Sequence, residues 1–175
     1  MSGARGRGER FGWLVMVGAF VVVALILGLT PGAVDFAAWS GLRAHAPDFA
    51  PLLESRLLVQ FHVVTVVVAL VLGPVQFVLP KGTRAHRLAG WVWVGAMAAT
   101  ALASLFIRDI NNGAFSPIHI FSVMTLIGLP IGIAAARSDR IGAHQRAMIG
   151  LYIGLVIAGV TAIAPGRLIW EMFFG

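Results

Sequence analysis

The sequence predicts an all-α integral membrane protein, a bundle of five transmembrane helices. Of its 175 residues, 59% are hydrophobic and 11% are charged, and the mean hydropathy is +0.91. A soluble domain of this length cannot bury that much apolar surface. The apolar runs are long and continuous rather than alternating, which favours helices over the strands of a barrel.

The boundaries of the spans follow from the turn-forming and charged residues between the apolar runs. A helix needs roughly 20 residues, at about 1.5 Å each, to cross a hydrocarbon core of about 30 Å. Runs close to this length lie at 11–30, 57–80, 88–107, 117–136 and 144–170. The chain therefore divides into a basic tail (1–10), a first span (11–30), an interfacial loop (31–56) and a four-helix core (57–175).

The first span and the loop after it are predicted from their apolar patterns. The first span is longer than the apolar stretch of about 7 to 15 residues in a secretory signal, which favours an uncleaved signal anchor over a cleaved signal. In the loop, Phe36, Trp39 and Leu42 recur at helical spacing, and Asp48 can cap a second short turn. The loop is therefore expected to lie on the membrane surface as amphipathic helix.

The distribution of charge predicts the orientation. With alternating spans, one side receives most of the basic residues, namely Arg5, Arg7, Arg10, Lys81, Arg84, Arg87, Arg137, Arg140 and Arg146. The other side receives Arg43, Arg56, Arg108 and Arg167 together with most of the acidic residues. The positive-inside rule then places the N-terminus in the cytoplasm and the C-terminus in the periplasm of a bacterial inner membrane. This asymmetry accounts for the net charge of +6, so a nucleic-acid partner is not expected.

Four histidines stand near the starts of four successive spans. His62 and His119 begin spans that run inward, whereas His86 and His144 begin spans that run outward. The topology therefore predicts one pair of histidines near each membrane surface. The chain has no cysteine, so histidine and methionine are its soft or borderline metal ligands.

Such pairs can supply the two axial ligands of a low-spin haem iron. We accordingly predict two haem b groups, one bound by His62 and His119 and the other by His86 and His144. Small residues beside the ligands, Gly73 and Gly90, would leave room for the macrocycle, and Gln76 shares the face of His62. Arg84, Arg87 and Arg146 are predicted to meet the propionates of the inner haem.

Simpler interpretations of the same residues stay open. A histidine at a helix start often lies hydrated among the headgroups, and the arginines are explained by topology alone. Gly73 and Pro74 can kink their helix, with the freed carbonyl satisfied by Gln76 or a neighbour. The face formed by Gly150, Gly154 and Ala158 predicts close helix packing, and Tyr152 is interpreted as an interfacial or packing aromatic.

Two resemblances bear on function. The set H62, GPVQF at 73–77, HRLAG at 86–90, SPIHIFS at 116–122, AHQRAMIGLYIG at 143–154 and PGR at 165–167 resembles a family of uncharacterised bacterial multi-pass membrane proteins. The alternation of the four histidines is similar to that of the dihaem transmembrane cytochromes b, whose four core helices each give one axial histidine. The second is a similarity of ligand placement only, and placement alone does not assign a substrate.

Three functions follow as hypotheses. The first is a transmembrane electron-transfer subunit with two haems, whose electron donor and acceptor the sequence does not name. The second is a haem-free structural or assembly subunit of a larger membrane complex, in which the histidines form hydrogen bonds between helices. The third is a protein that handles metal ions or protons through titrating histidines. In each of them the lipid bilayer is the protein's immediate surroundings.

Overall fold

A computed structural model of the protein describes residues 44–108 and 113–174, and within these residues the regular structure is entirely helical. The helices are α1 (Ala50–Glu54), α2 (Leu57–Val78), α3 (Arg84–Phe106), α4 (His119–Arg137), α5 (Ile141–Thr161) and α6 (Leu168–Phe173). Four of them, α2 to α5, are long and apolar enough to cross a membrane. The predicted first span at 11–30 lies outside the described residues, as do Phe36, Trp39 and Leu42.

Helices α2 to α5 form a four-helix bundle. Consecutive helices pack side by side, and α2 and α5 meet over a shorter stretch that closes the ring. The pairs α2 with α4 and α3 with α5 stand across the diagonals, because neither pair brings Cα atoms within 8 Å of each other. The predicted histidine pairs are carried by these diagonal helices.

Two helix boundaries differ by four residues or more from those predicted from the apolar runs, and the others by no more than three. Helix α3 begins four residues earlier than expected, at Arg84, because the hydroxyl of Thr83 accepts a hydrogen bond from the His86 amide at 3.2 Å. The cap extends the helix into charged sequence that a hydropathy pattern does not count. The prediction of one span over 144–170 is wrong at its C-terminal end, because α5 ends at Thr161 and a turn with Gly166 at φ +75° precedes α6.

The core of the bundle is small and central. Ala69 of α2, Trp93 and Met97 of α3, Leu129 of α4 and Leu155 of α5 are buried against one another. Trp93 Nε1 also donates a hydrogen bond to Ala69 O at 3.0 Å. Many large apolar side chains face outward instead, among them Val64, Val67, Val71, Leu102, Ile127 and Val160. An outward apolar surface of this extent fits contact with lipid rather than with water.

Close packing between α4 and α5 uses glycines other than the predicted ones. A Cβ added at Gly132 would collide with the methyl end of Met148, and one at Gly128 would lie 2.8 Å from Leu151 Cδ2. By contrast, a Cβ at Gly150 would meet no described residue within 4 Å, and one at Gly154 would make an ordinary contact with Phe121 at 3.6 Å. The tightest approach is therefore at the glycines of α4, whereas the predicted face of α5 contacts α4 at Gly154 without close packing at Gly150.

The two ends of the bundle differ in charge. The basic end, where α2 and α4 end and α3 and α5 begin, carries Lys81, Arg84, Arg87, Arg137, Arg140 and Arg146. The opposite end carries α1 and α6, which are tied together by hydrogen bonds from His45 N to Phe173 O (3.1 Å) and from Asp48 N to Met172 O (2.9 Å). The Asp48 carboxylate accepts a bond from Ala50 N at 2.9 Å, one residue before Phe49, which occupies the N-cap position of α1 without a side-chain cap.

Candidate functional site

His62 ties α2 to α3 through one ring nitrogen. Its Nδ1 lies 3.1 Å from the carbonyl oxygen of Thr100, so Nδ1 carries the proton and donates it. The Thr100 hydroxyl bonds to Thr65 Oγ1 at 2.9 Å, and Thr65 in turn bonds to His62 O at 2.9 Å. Nε2 of His62 forms no hydrogen bond with the described residues. The imidazole is therefore oriented through Nδ1 with its other nitrogen available.

His119 has both ring nitrogens engaged. Nδ1 accepts a bond from Ser116 N at 3.0 Å, and Nε2 lies 3.2 Å from Ile107 O, to which it donates. The ring is buried, with 6% exposure, and the edge of Phe115 packs on it at 5.2 Å between centroids. His119 therefore fastens the start of α4 to the end of α3.

His62 and His119, the pair predicted for the outer membrane surface, contact α3 at two different heights along its axis. His62 bonds to Thr100 and His119 bonds to Ile107, and those carbonyls are about 10 Å apart along the helix axis. Both predicted outer ligands therefore bond to carbonyls of α3 or of its C-terminal cap, and of the two rings that of His62 alone keeps a nitrogen without a hydrogen bond to the described residues. A ligand role for His119 stays a prediction, and it requires that the bond to Ile107 be broken first.

At the basic end, His86 is held by Gln76 of α2. With the amide turned so that both of its ends are satisfied, Gln76 Nε2 lies 2.9 Å from His86 Nδ1, and Gln76 Oε1 accepts a bond from Gly90 N at 2.9 Å. The space beside Gly90 is thus taken by the Gln76 amide, 3.6 Å from an added Cβ. Nε2 of His86 forms no hydrogen bond with the described residues.

His144 is held in the same manner from the other side. Its Nδ1 donates to Gly132 O on α4 at 3.0 Å, and its Nε2 is free of hydrogen bonds with the described residues. His86 and His144 both lie at the basic end of the bundle, near the starts of α3 and α5. Neither Nε2 forms a hydrogen bond with the described residues, and a shared ligand role for the pair stays a prediction.

The three arginines predicted to meet propionates lie at this end. Arg84, Arg87 and Arg146 are exposed, and no hydrogen bond of their side chains with the described residues is formed. A Cβ at Gly142 would lie 3.5 Å from Arg146 Nη1. Their placement is equally what topology alone would require.

Gly73 has a role that the sequence did not reveal. A Cβ at this position would overlap the ring of Tyr152 on α5, and the Tyr152 hydroxyl reaches Leu70 O at 3.4 Å. Leu70 is the residue whose carbonyl loses its helical partner because Pro74 has no N–H. The freed carbonyl is thus satisfied from α5 rather than by Gln76, and the space beside Gly73 is filled by the tyrosine.

Whether these residues fit a haem differs between the two ends. Histidines that ligate metals usually donate their other ring N–H to a carbonyl or a similar acceptor, which fixes the orientation of the ring. His144 has this arrangement, His62 has it too, and His86 presents a free Nε2. At the basic end the donor set fits an iron with two imidazole ligands only after the Gln76 amide turns its oxygen toward His86 Nδ1, because Gln76 now donates to that nitrogen and the proton of the neutral His86 ring is on Nε2. At the opposite end it does not fit as it stands, since His119 Nε2 is occupied.

A multidentate site for a bare metal ion is a separate possibility. Among the residues that the structure describes, no three His, Asp or Glu side chains come together as such a site would require. Within 44–108 and 113–174, the inner histidine pair is therefore the most developed ligand set.

Comparisons with known proteins give a family and no activity. A family model described as "Predicted membrane protein (DUF2306)" matches residues 59–174. No curated protein matches the chain. No solved structure matches it either.

Proposed function

The chain belongs to the DUF2306 family of predicted membrane proteins, and we propose that it is a transmembrane electron-transfer subunit that binds haem b through its histidines. The observation that carries the proposal is the inner pair. His86 and His144 stand on diagonal helices at one end of the bundle, and neither Nε2 has a hydrogen bond to any residue of 44–108 or 113–174. When bound there, a haem would supply one-electron chemistry.

The chain's own residues would orient the ligands and balance charge. The Gly132 carbonyl holds His144 by Nδ1. The Gln76 amide can rotate, and with its oxygen toward His86 it would accept an Nδ1 proton there. Arg84, Arg87 and Arg146 are the cations available to anionic propionates at this end.

The second haem of the proposal would use His62 and His119. His62 is oriented for it through Thr100, whereas His119 must first release Ile107. The first haem therefore does not depend on the second. We further propose that the protein resides in a bacterial inner membrane with its basic end in the cytoplasm.

A second candidate function rests on the same hydrogen bonds. Three of the histidines reach across to a backbone carbonyl of a neighbouring helix, at Thr100, Ile107 and Gly132. Bonds of this kind between membrane helices stabilise a bundle by about 0.6 kcal/mol each. In a haem-free structural or assembly subunit, these hydrogen bonds would be the whole role of the histidines.

An absorption spectrum separates the two candidates. The full chain is purified in detergent after expression with added haem precursor, and spectra are recorded before and after dithionite. The electron-transfer proposal expects a Soret band and a sharp b-type α-band, and His86→Ala and His144→Ala should remove the same component. His45→Ala is the matched control, because His45 is exposed and its ring bonds, among the described residues, only to the adjacent Ala46 carbonyl. A protein without a Soret band refutes the haem proposal and leaves the structural one.

A further inference from the structure

Arg167 is a buried cation that the proposed function does not use. It lies at the opposite end of the bundle, six residues beyond the end of α5 and directly before α6. Its side chain is 9% exposed, which is unusual for arginine. Ala164 and Trp170, on either side of it in sequence, are buried as well.

The guanidinium group has no counterion among the described residues. Its Nε is the buried side-chain nitrogen or oxygen that lacks a hydrogen-bond partner there. The acidic residues described at this end, Asp48, Glu54 and Glu171, are exposed. Burial lowers the pKa of the Arg167 guanidinium, and no neighbouring charge opposes that effect. An arginine nevertheless stays protonated at neutral pH.

A charge held in a protein interior without a partner is destabilising. An anion bound beside the Arg167 guanidinium would compensate this charge, so the unpartnered side chain predicts an anion site. Guanidinium offers a planar fork of donors that matches the oxygens of phosphate or carboxylate. At the end of a membrane-spanning bundle, the most abundant oxyanions are the phosphates of lipid headgroups.

We propose that Arg167 is the anchor of a phosphate-binding site at the end of the bundle that carries α1 and α6. The phosphate belongs to a phospholipid headgroup or to a free phosphate species, which offer the same oxyanion to the guanidinium. The site is separate from the haem proposed at His86 and His144, because those residues and their basic neighbours lie at the other end of the bundle.

Thermal unfolding of the lipid-depleted full chain, followed by tryptophan fluorescence, tests the proposal. Two probes are titrated at constant ionic strength, inorganic phosphate and short-chain dihexanoyl phosphatidylglycerol. Stabilisation by the lipid alone identifies a headgroup site, and stabilisation by inorganic phosphate identifies a free-phosphate site. Both outcomes support the proposal, whereas a wild-type protein stabilised by neither probe overturns it.

Variants assign the effect to Arg167. Arg167→Gln should abolish the ligand-dependent shift, and Arg167→Lys, which keeps the charge but loses the fork, should weaken half-saturation at least tenfold. Arg140→Gln is the matched control, an exposed arginine at the basic end, and it should retain the wild-type response. A response retained in Arg167→Lys at the wild-type concentration contradicts the proposal even if Arg167→Gln fails to fold.

An internal carboxylate is the alternative that must be excluded. Asp35 and Asp109 are assigned by the predicted topology to the same side as Arg167, and both lie outside the described residues. If Asp35→Asn or Asp109→Asn lowers the melting temperature as much as Arg167→Gln does, and the probes have no effect, the partner is in the chain and the proposal is wrong.

Discussion

At the residue scale, the histidines differ in which ring nitrogen the protein uses. His62 and His144 are held through Nδ1 by carbonyls of neighbouring helices, so the nitrogen farther from the backbone is left open. His119 uses both nitrogens for the protein itself. Sequence position does not distinguish these cases, because all four lie near helix starts. The difference arises from which carbonyl each ring meets after packing.

His119 is accordingly expected to contribute most to stability. His119→Ala removes two hydrogen bonds and leaves the Ile107 carbonyl and the Ser116 amide without their partner, at a cost of about 1 to 3 kcal/mol. His45→Ala, at an exposed position, should change the free energy of unfolding by less than about 0.5 kcal/mol. Reversible denaturation in mixed micelles measures both. Equal effects of the two substitutions would contradict the assigned role of His119.

Individual side-chain contacts around His86 and His144 could be predicted from the sequence only in part. Charge and topology were sufficient to place His86 and His144 at one end of the bundle, and both lie near helix starts at the basic end. The contacts of Gln76 with His86 and Gly90 were not predictable, because Gln76 is ten residues away on another helix and its angular position indicated only a shared face with His62. Such contacts depend on the relative rotation and height of two helices, which periodicity does not give.

At the element scale, the contact between α2 and α5 depends on one glycine and one tyrosine. Helix α2 buries only Ala69 and Gly73, and the Tyr152 ring lies where a Gly73 side chain would be. Phe77 packs edge-on against the same ring at 5.6 Å between centroids. The contact between α2 and α5, which closes the ring of four helices, is therefore concentrated at Gly73 and Tyr152.

Gly73→Ala should destabilise the bundle by roughly 1 to 3 kcal/mol, because the added methyl overlaps a rigid ring. In a Tyr152→Ala background the same substitution should cost little, since the ring is gone, so the two effects are strongly non-additive. Gly95→Ala is the matched control, as a Cβ there meets nothing within 4 Å. Additive effects in this double-mutant cycle would refute the direct contact.

Between α4 and α5, the glycines of α4 determine how closely the helices approach. The sequence offered two candidate faces, and the one chosen from spacing, through Gly150 and Gly154, is not the tight one. Spacing alone identifies where small residues recur but not which side of the helix meets a neighbour. The Gly132 carbonyl, which binds His144, lies on the tight face, so packing and ligand orientation are linked there.

Gly128→Ala combined with Gly132→Ala should therefore lower the free energy of unfolding by about 1 to 3 kcal/mol, through overpacking against Leu151 and Met148. Gly150→Ala should be neutral, because no atom within 4 Å opposes the added methyl. The variants are compared by thermal denaturation at fixed detergent concentration. A larger loss for Gly150→Ala would indicate that the face through Gly150 is covered after all.

At the scale of the whole molecule, the four described spans and the apolar surface agree with the prediction from composition. Hydropathy succeeded here because the cost of leaving backbone polar groups unsatisfied in lipid permits few structures other than long helices. It failed at helix ends, where Thr83 extends α3 and Gly166 interrupts the last predicted span. Caps and turns act through single residues, which an average over a long window does not detect.

The predicted cytoplasmic placement of His86 and His144 depends on how the whole molecule is oriented in the membrane. The basic end carries Lys81, Arg84, Arg87, Arg137, Arg140 and Arg146, and the positive-inside rule predicts that this end lies in the cytoplasm. Reporter fusions after Thr83, Asn112 and Arg140 should therefore read inside, outside and inside. The reverse order would keep the bundle but move His86 and His144 to the periplasmic face. The same reading at Thr83 and Asn112 would contradict a membrane crossing by α3.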